Sequence, residues 1–174
     1  MAEWLKAYAW KAYVRERVPG VRIPSLLQIL LAVKMPKILA IDYGQKRVGL
    51  AVTDDLQLIA SGLTTIHSKD VIAFLENYLT KNQVECFVVG EPKDLKNNPA
   101  ESARFIEPFV KHLSRKFPNI KIERVDERFT SKMAFQTMID AGLGKKARQN
   151  KALIDEISAT LILQSYLESK NFTK

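Results

Sequence analysis

Cysteine is nearly missing from this 174-residue chain: Cys86 stands alone, which excludes an internal disulfide framework and fits a reducing compartment. Two histidines, His67 and His112, leave a structural zinc site almost no ligands to draw on. Long apolar runs are missing too. The nearest, Ser25 to Val33, falls short of the roughly 18 residues that span a bilayer, so the chain reads as soluble with no membrane partner. There is no internal repeat and no low-complexity linker. The chain is too short for a two-domain kinase and, at 47% hydrophobic residues, too apolar to be disordered. Acid is the scarcer charge: 19 Asp+Glu against 27 Lys+Arg leave +8, which favours an anionic partner such as nucleic acid.

Residues 1–34 differ in character from the rest. Both tryptophans, Trp4 and Trp10, lie here, and Pro19-Gly20 breaks any helix begun before it. The strings Met-Ala-Glu-Trp-Leu-Lys and Arg-Val-Pro-Gly-Val-Arg-Ile-Pro-Ser look like a transfer-RNA gene translated in one frame. The expectation is an extension upstream of a true start at Met35, with the functional domain over 35–174. The rival reading is a short amphipathic helix docking on a partner or a membrane surface. The extension holds six Lys+Arg and two acids, so it supplies +4 of the net charge.

From Met35 onward, Lys37 to Tyr43 and Arg47 to Thr53 are apolar runs of strand length separated by a turn-sized Gly44-Gln-Lys46. Leu58 to Ile66 supplies a third strand. Helical spacing follows over Lys69 to Asn82, with Ser68 as N-cap. Val84 to Gly90 reads as a strand buried on both faces. A helix from Asn98 to about Lys116, a strand over Lys121 to Asp126, and a helix from Thr130 to Ala141 come next. Gly144 to Asn150 reads as a basic loop, and the last helix runs over about Lys151 to Ser169, burying Leu153, Ile157, Leu161 and Tyr166. Three antiparallel strands followed by alternating helices and strands predict an α/β mixed sheet with helices on both faces, the element order of the ribonuclease H-like fold.

Three carboxylates stand where that architecture could gather them. Asp42 closes the first strand, Glu127 follows the fifth, and Asp155 lies on the last helix with apolar Ala159 and Ile162 on its own face. Acids on an apolar face are costly unless compensated. Together they suit oxygen-ligated Mg²⁺ or Mn²⁺, which bind through a few carboxylates plus water and phosphate and serve phosphodiester hydrolysis. The bland alternative has Asp42 bonding turn amides, Glu127 paired with Arg128 or Arg124, and Asp155 facing the helix dipole. Glu91, ending the fourth strand, is a candidate fourth ligand.

Asp42-Tyr-Gly-Gln-Lys-Arg-Val-Gly-Leu-Ala51, Val88-Val-Gly-Glu-Pro92, Asp126-Glu-Arg-Phe-Thr-Ser131 and Ile154-Asp-Glu-Ile-Ser-Ala159 together resemble the YqgF family, RuvC-related pre-16S rRNA nucleases and Holliday junction resolvase homologues. The resemblance covers about Met35 to Ser169. It implies a divalent metal, a bacterial cytoplasmic setting, and trimming of the 5′ end of precursor 16S rRNA, with Asp42, Glu127 and Asp155 in the family's acidic positions. Two departures stand out: Glu91 where the family is commonly apolar, and Asp155-Glu-Ile-Ser in place of Asp-Ser-Ile-Ala.

Residues 111–151 carry eleven Lys+Arg against four acids. Lys145, Lys146, Arg148 and Lys151 form the expected clamp on a phosphate backbone, joined by Arg128. Lys46 and Arg47, beside Asp42, are placed to neutralise the scissile phosphate. The partner is then structured RNA, or branched DNA cut by a homodimer in the resolvase alternative. A catalytically idle nucleic-acid-binding module is the reading from another class. The actin-like ATPases share the hairpin pattern but need a second domain that 174 residues do not supply.

Overall fold

The computed structural model describes residues 34–91, 103–126 and 130–172. The chain divides between Met35 and Pro36, and every element below belongs to the second unit. Strands β1 (Lys37–Tyr43), β2 (Arg47–Thr53) and β3 (Ala60–His67) form an antiparallel meander. A 3-10 turn (Ser68–Asp70) leads into α1 (Val71–Leu79), then β4 (Val84–Glu91), α2 (Ala103–Lys116), β5 (Lys121–Asp126), α3 (Thr130–Asp140), α4 (Lys145–Arg148) and α5 (Lys151–Phe172). The sheet order is β3-β2-β1-β4-β5, with β4 parallel to both β1 and β5.

Strand alternation decides the two cores. Leu39, Ile41, Val48, Leu50, Phe87 and Val89 face α1 and α2, where they pack on Leu75, Ile106, Phe109 and Leu113. Ile38, Ala40, Ala51, Cys86 and Val88 face the other way, onto Ala159, Ile162, Leu163 and Leu167 of α5. Helices therefore cover both faces, as the element order predicts. Small residues, Ala40 on β1 and Gly49 and Ala51 on β2, stand on the α5 side, and this lets a single long helix lie close to the sheet. The same alternation carries Asp42 to the α5 side and Tyr43 to the α2 side, where Tyr43 stacks on Phe109 with ring centroids 4.1 Å apart.

Several local expectations are revised. Ser68 does not cap α1: His67 Nδ1 accepts from the Lys69 amide at 3.3 Å, and Ser68 Oγ donates to the Gln45 carbonyl at 2.7 Å, tying the 3-10 turn to the β1–β2 turn. The segment read as a basic loop contains α4, whose Arg148 amide donates to the Gly144 carbonyl at 3.1 Å. Leu153, Ile157, Leu161 and Tyr166 are only half-buried, because Ser158, Ala159, Ile162, Leu163 and Leu167 occupy the sheet-facing stripe of α5. Pro108 sits on the exposed side of α2 without ending it. Asn98 and the first turn expected for α2 lie outside the described residues.

Candidate active site

The first turns of α5 lie directly on β2 and β3. Asn150 starts the helix, its Oδ1 accepting from the Ala152 amide at 3.1 Å. Thr65 Oγ1 on β3 donates to the Ala152 carbonyl at 2.7 Å. One turn on, the backbone of α5 comes so close to β2 that a Cβ at Gly49 would stand 2.0 Å from the Asp155 carbonyl oxygen. A Cβ at Gly62, on β3, would meet Glu156 Oε1 at 2.4 Å. Two strand glycines thus make the seat for this helix, the usual meaning of a glycine inside a strand.

Gly49 is also the register partner of Asp42. Docking α5 at Gly49 therefore brings Asp155 over the end of β1, beside Asp42. Arg47, two residues before Gly49 and on the same side of β2, reaches Asp155 with an Nε–Oδ2 contact of 2.6 Å. The site is a two-carboxylate cluster with one guanidinium bound to the outer acid.

Electrostatics separates the two acids. The Asp42 carboxyl is pushed up to about 7, first by desolvation at the closed end of β1 and second by the neighbouring Asp155 carboxylate. Arg47 neutralises Asp155 rather than Asp42. The pair therefore holds its proton on Asp42 to a higher pH than an exposed carboxyl would. Their oxygens are the hard donors that Mg²⁺ and Mn²⁺ take, so the residues present fit such a metal.

The other expected site residues fall out as follows. Glu127 and Arg128 lie outside the described residues; the last described residue before them, Asp126, ends β5 in register with Glu91. Glu91 alternates with Phe87 and Val89, the side of the sheet opposite Asp42 and Asp155. Among the described residues no group of three or more acids, histidines or cysteines is close enough to hold a metal, so Glu91 is not gathered with the pair. Arg47 is engaged by Asp155, a different role from the phosphate contact expected of it. Lys46 is exposed in the turn beside it. Lys145, Lys146 and Lys151 are exposed and Arg148 half-buried, on the short segment that runs into the α5 N-terminus. The roles of Gly49 and Gly62 were not anticipated, although glycine in the interior of a predicted strand was the available signal.

A family profile described as "RuvX: Holliday junction resolvase" matches residues 36–169. A protein of Flavobacterium johnsoniae named "Putative pre-16S rRNA nuclease" is 63% identical over 138 residues, 79% of this chain and all of the relative. Relatives of the same name from Flavobacterium psychrophilum and Bacteroides thetaiotaomicron are 64% identical over 136 residues and 56% over 138. They cover 78% and 79% of this chain, and 99% and 100% of their own lengths. Among solved structures, Thermus thermophilus RuvC in complex with Holliday junction substrate superposes with a TM-score of 0.50 at 16% identity. That match covers 79% of this chain and 96% of the other and speaks to the fold alone.

Proposed function

The chain belongs to the RuvX family, and from that premise we propose that it is a divalent-metal-dependent nuclease acting on structured RNA, with the 5′ end of precursor 16S rRNA as substrate. Its reaction class is hydrolysis of a phosphodiester bond. The observation that carries the reading is the meeting of Asp42 and Asp155 across Gly49; Glu127, which lies outside the described residues, is assigned as the third acid on the family resemblance alone. A bound Mg²⁺ or Mn²⁺ would lower the pKa of an attacking water and neutralise the leaving oxygen.

The chain's own residues do the rest. The buried strand β1 holds the Asp42 carboxyl in place. Arg47 fixes the rotamer of Asp155 through its Nε–H donor. Asp42 must release its proton before both of its oxygens can act as donors, which ties assembly of the site to pH near 7. Lys46, Arg128, Lys145, Lys146, Arg148 and Lys151 supply the cationic margin for a phosphate backbone. No helix among the described residues is long and apolar enough to cross a membrane, and the setting that fits this substrate is the cytoplasm.

The deciding experiment sets precursor rRNA against a four-way DNA junction, with Mg²⁺, with Mn²⁺ and with chelator, for the wild type and Asp42→Asn. Metal-dependent cleavage of the RNA that vanishes in Asp42→Asn is expected. Preferential cutting of the junction would move the substrate to branched DNA. Salt-sensitive RNA binding without turnover under any metal would leave only a binding module.

A further inference from the structure

Helix α3 buries one stripe and exposes another. Ala134 and Met138 are fully buried, while Phe135 and Ile139, the same four-residue step one position round, are 45% and 39% exposed, and Met133 is 51% exposed. Single exposed apolar residues are ordinary. Phe135 and Ile139, one turn apart on the same flank of an eleven-residue helix, make a small apolar patch, while Met133 lies on the other flank of the buried stripe. What borders the patch is cationic: the Arg148 guanidinium lies 5.9 Å from the centroid of the Phe135 ring, within cation–π range, and exposed Lys145 and Lys146 precede it in α4.

This surface adjoins the site through the chain itself. Helix α4 ends at Arg148, Asn150 caps α5, and Asp155 follows one turn later. An aromatic face flanked by arginine and lysine, with Arg148 seven residues before Asp155 in the chain, matches the needs of an unpaired nucleotide: a flat surface for the base and cations for its phosphates. We infer that Phe135 and Arg148 form a stacking platform that receives an unpaired base of single-stranded RNA next to the cleavage site. Duplex RNA keeps its bases stacked on one another and has none to offer. The platform therefore selects single-stranded ends or flanks and holds them by stacking rather than by base-edge readout. The inference rests on the nucleic-acid reading above and adds to it the strand state of the substrate.

The test measures equilibrium binding of a single-stranded oligouridine and of a blunt-ended two-strand RNA duplex to the full chain in chelator, across a salt series. Phe135→Ala should weaken oligouridine binding about tenfold, with duplex binding unchanged. Phe135→Trp should restore it, and its indole fluorescence should be quenched by the oligonucleotide. The salt slope should not change in either variant, because no phosphate contact is lost. Lys145→Ala should weaken both ligands and flatten the slope by nearly one. Equal oligouridine affinity for the wild type and Phe135→Ala, with both folded by circular dichroism, overturns the platform. So does a wild-type dimer in sedimentation that Phe135→Ala dissociates, since a second copy would then own the patch. A Phe135-dependent preference for single strands in a protein that cleaves no substrate would uphold the platform while refuting the nuclease assignment. Absence of any oligonucleotide binding by the wild type refutes the platform directly.

Discussion

The α-carbon of Gly49 faces the carbonyl of Asp155 so closely that a methyl group at position 49 would stand 2.0 Å from that oxygen. The obstacle is backbone, which has no rotamer to escape into. Gly49→Ala must therefore push α5 off β2 or strain both. A cost of about 1–3 kcal/mol is expected, at the upper end or beyond, together with loss of cleavage, because the helix that moves carries Asp155. Gly144→Ala is the matched control: a Cβ there meets nothing within 4 Å. Thermal melts of the two variants side by side check the contrast.

Asp42 makes stability depend on pH in the unusual direction for an acid. Its carboxyl titrates near 3.8 when exposed and near 7 in the fold, so between these values the folded state binds more protons than the unfolded one. Stability is then highest at or below about pH 4 as far as this group is concerned. It falls as pH rises towards 7 and levels off beyond, by up to about 4 kcal/mol. Asp42→Asn keeps the shape and removes the titration. In chelator it should melt at or above the wild-type temperature at pH 8, and the gap should narrow by pH 5 and close near pH 4. A parallel pH dependence in both proteins would remove Asp42 as its source.

Much of this arrangement was readable before any coordinates. Asp155 shares a helical face with Ala159 and Ile162, and both are fully buried, so the spacing oriented the acid correctly. Strand alternation from Ile38 through Ala40 similarly fixed the side on which Asp42 emerges. What stayed hidden depends on pairs remote in sequence. Arg47 and Asp155 are 108 positions apart, and local pattern has no access to such a contact, so Arg47 was assigned to phosphate on proximity to Asp42 alone. Glu91 shows the reverse limit: the end of a strand looks close to a neighbouring strand's end, yet alternation places it with Phe87 and Val89, on the side of the sheet away from Asp42. Lys145 to Arg148 looked like loop because a single helical turn has no periodicity to detect.

Arg47 should matter more to function than to folding. The ion pair with Asp155 is part-exposed, and such pairs contribute about 0–1 kcal/mol, so Arg47→Gln should melt within a few degrees of the wild type. Its loss leaves the Asp155 carboxylate uncompensated beside Asp42. That strengthens the repulsion already holding the Asp42 carboxyl up and moves its titration further above 7. The midpoint of the pH–stability curve in chelator reports this shift, and Arg47→Lys, which keeps the charge, should reverse most of it. A midpoint that moves down in Arg47→Gln would contradict the arrangement.

A chain begun at Met35 is expected to keep the fold. Every described strand finds its partners between Lys37 and Asp126, and both described core clusters fall between Ile38 and Leu167. The shortened protein should melt cooperatively within a few degrees of the full chain and cleave the same substrate. It also sheds half of the net charge, so any fall in nucleic-acid affinity should appear as a smaller salt slope rather than as a change in preference between strands. The intact mass of the protein from its native source shows which form exists.

Metal should stabilise the fold through the same two acids. A cation held by Asp42 and Asp155 would replace carboxylate repulsion with attraction and would bind the folded state only, since the unfolded chain does not hold residues 42 and 155 together. Stability then rises with metal concentration by mass action, about 2.7 kcal/mol at a hundredfold excess over the dissociation constant. Mn²⁺ or Mg²⁺ should accordingly raise the melting temperature, chelator should return it, and both Asp42→Asn and Asp155→Asn should blunt the response. Because loading requires Asp42 to give up its proton, the gain should be larger at pH 8 than at pH 6. A metal response of equal size at both pH values, or one that survives in Asp42→Asn, would place the cation elsewhere on the protein.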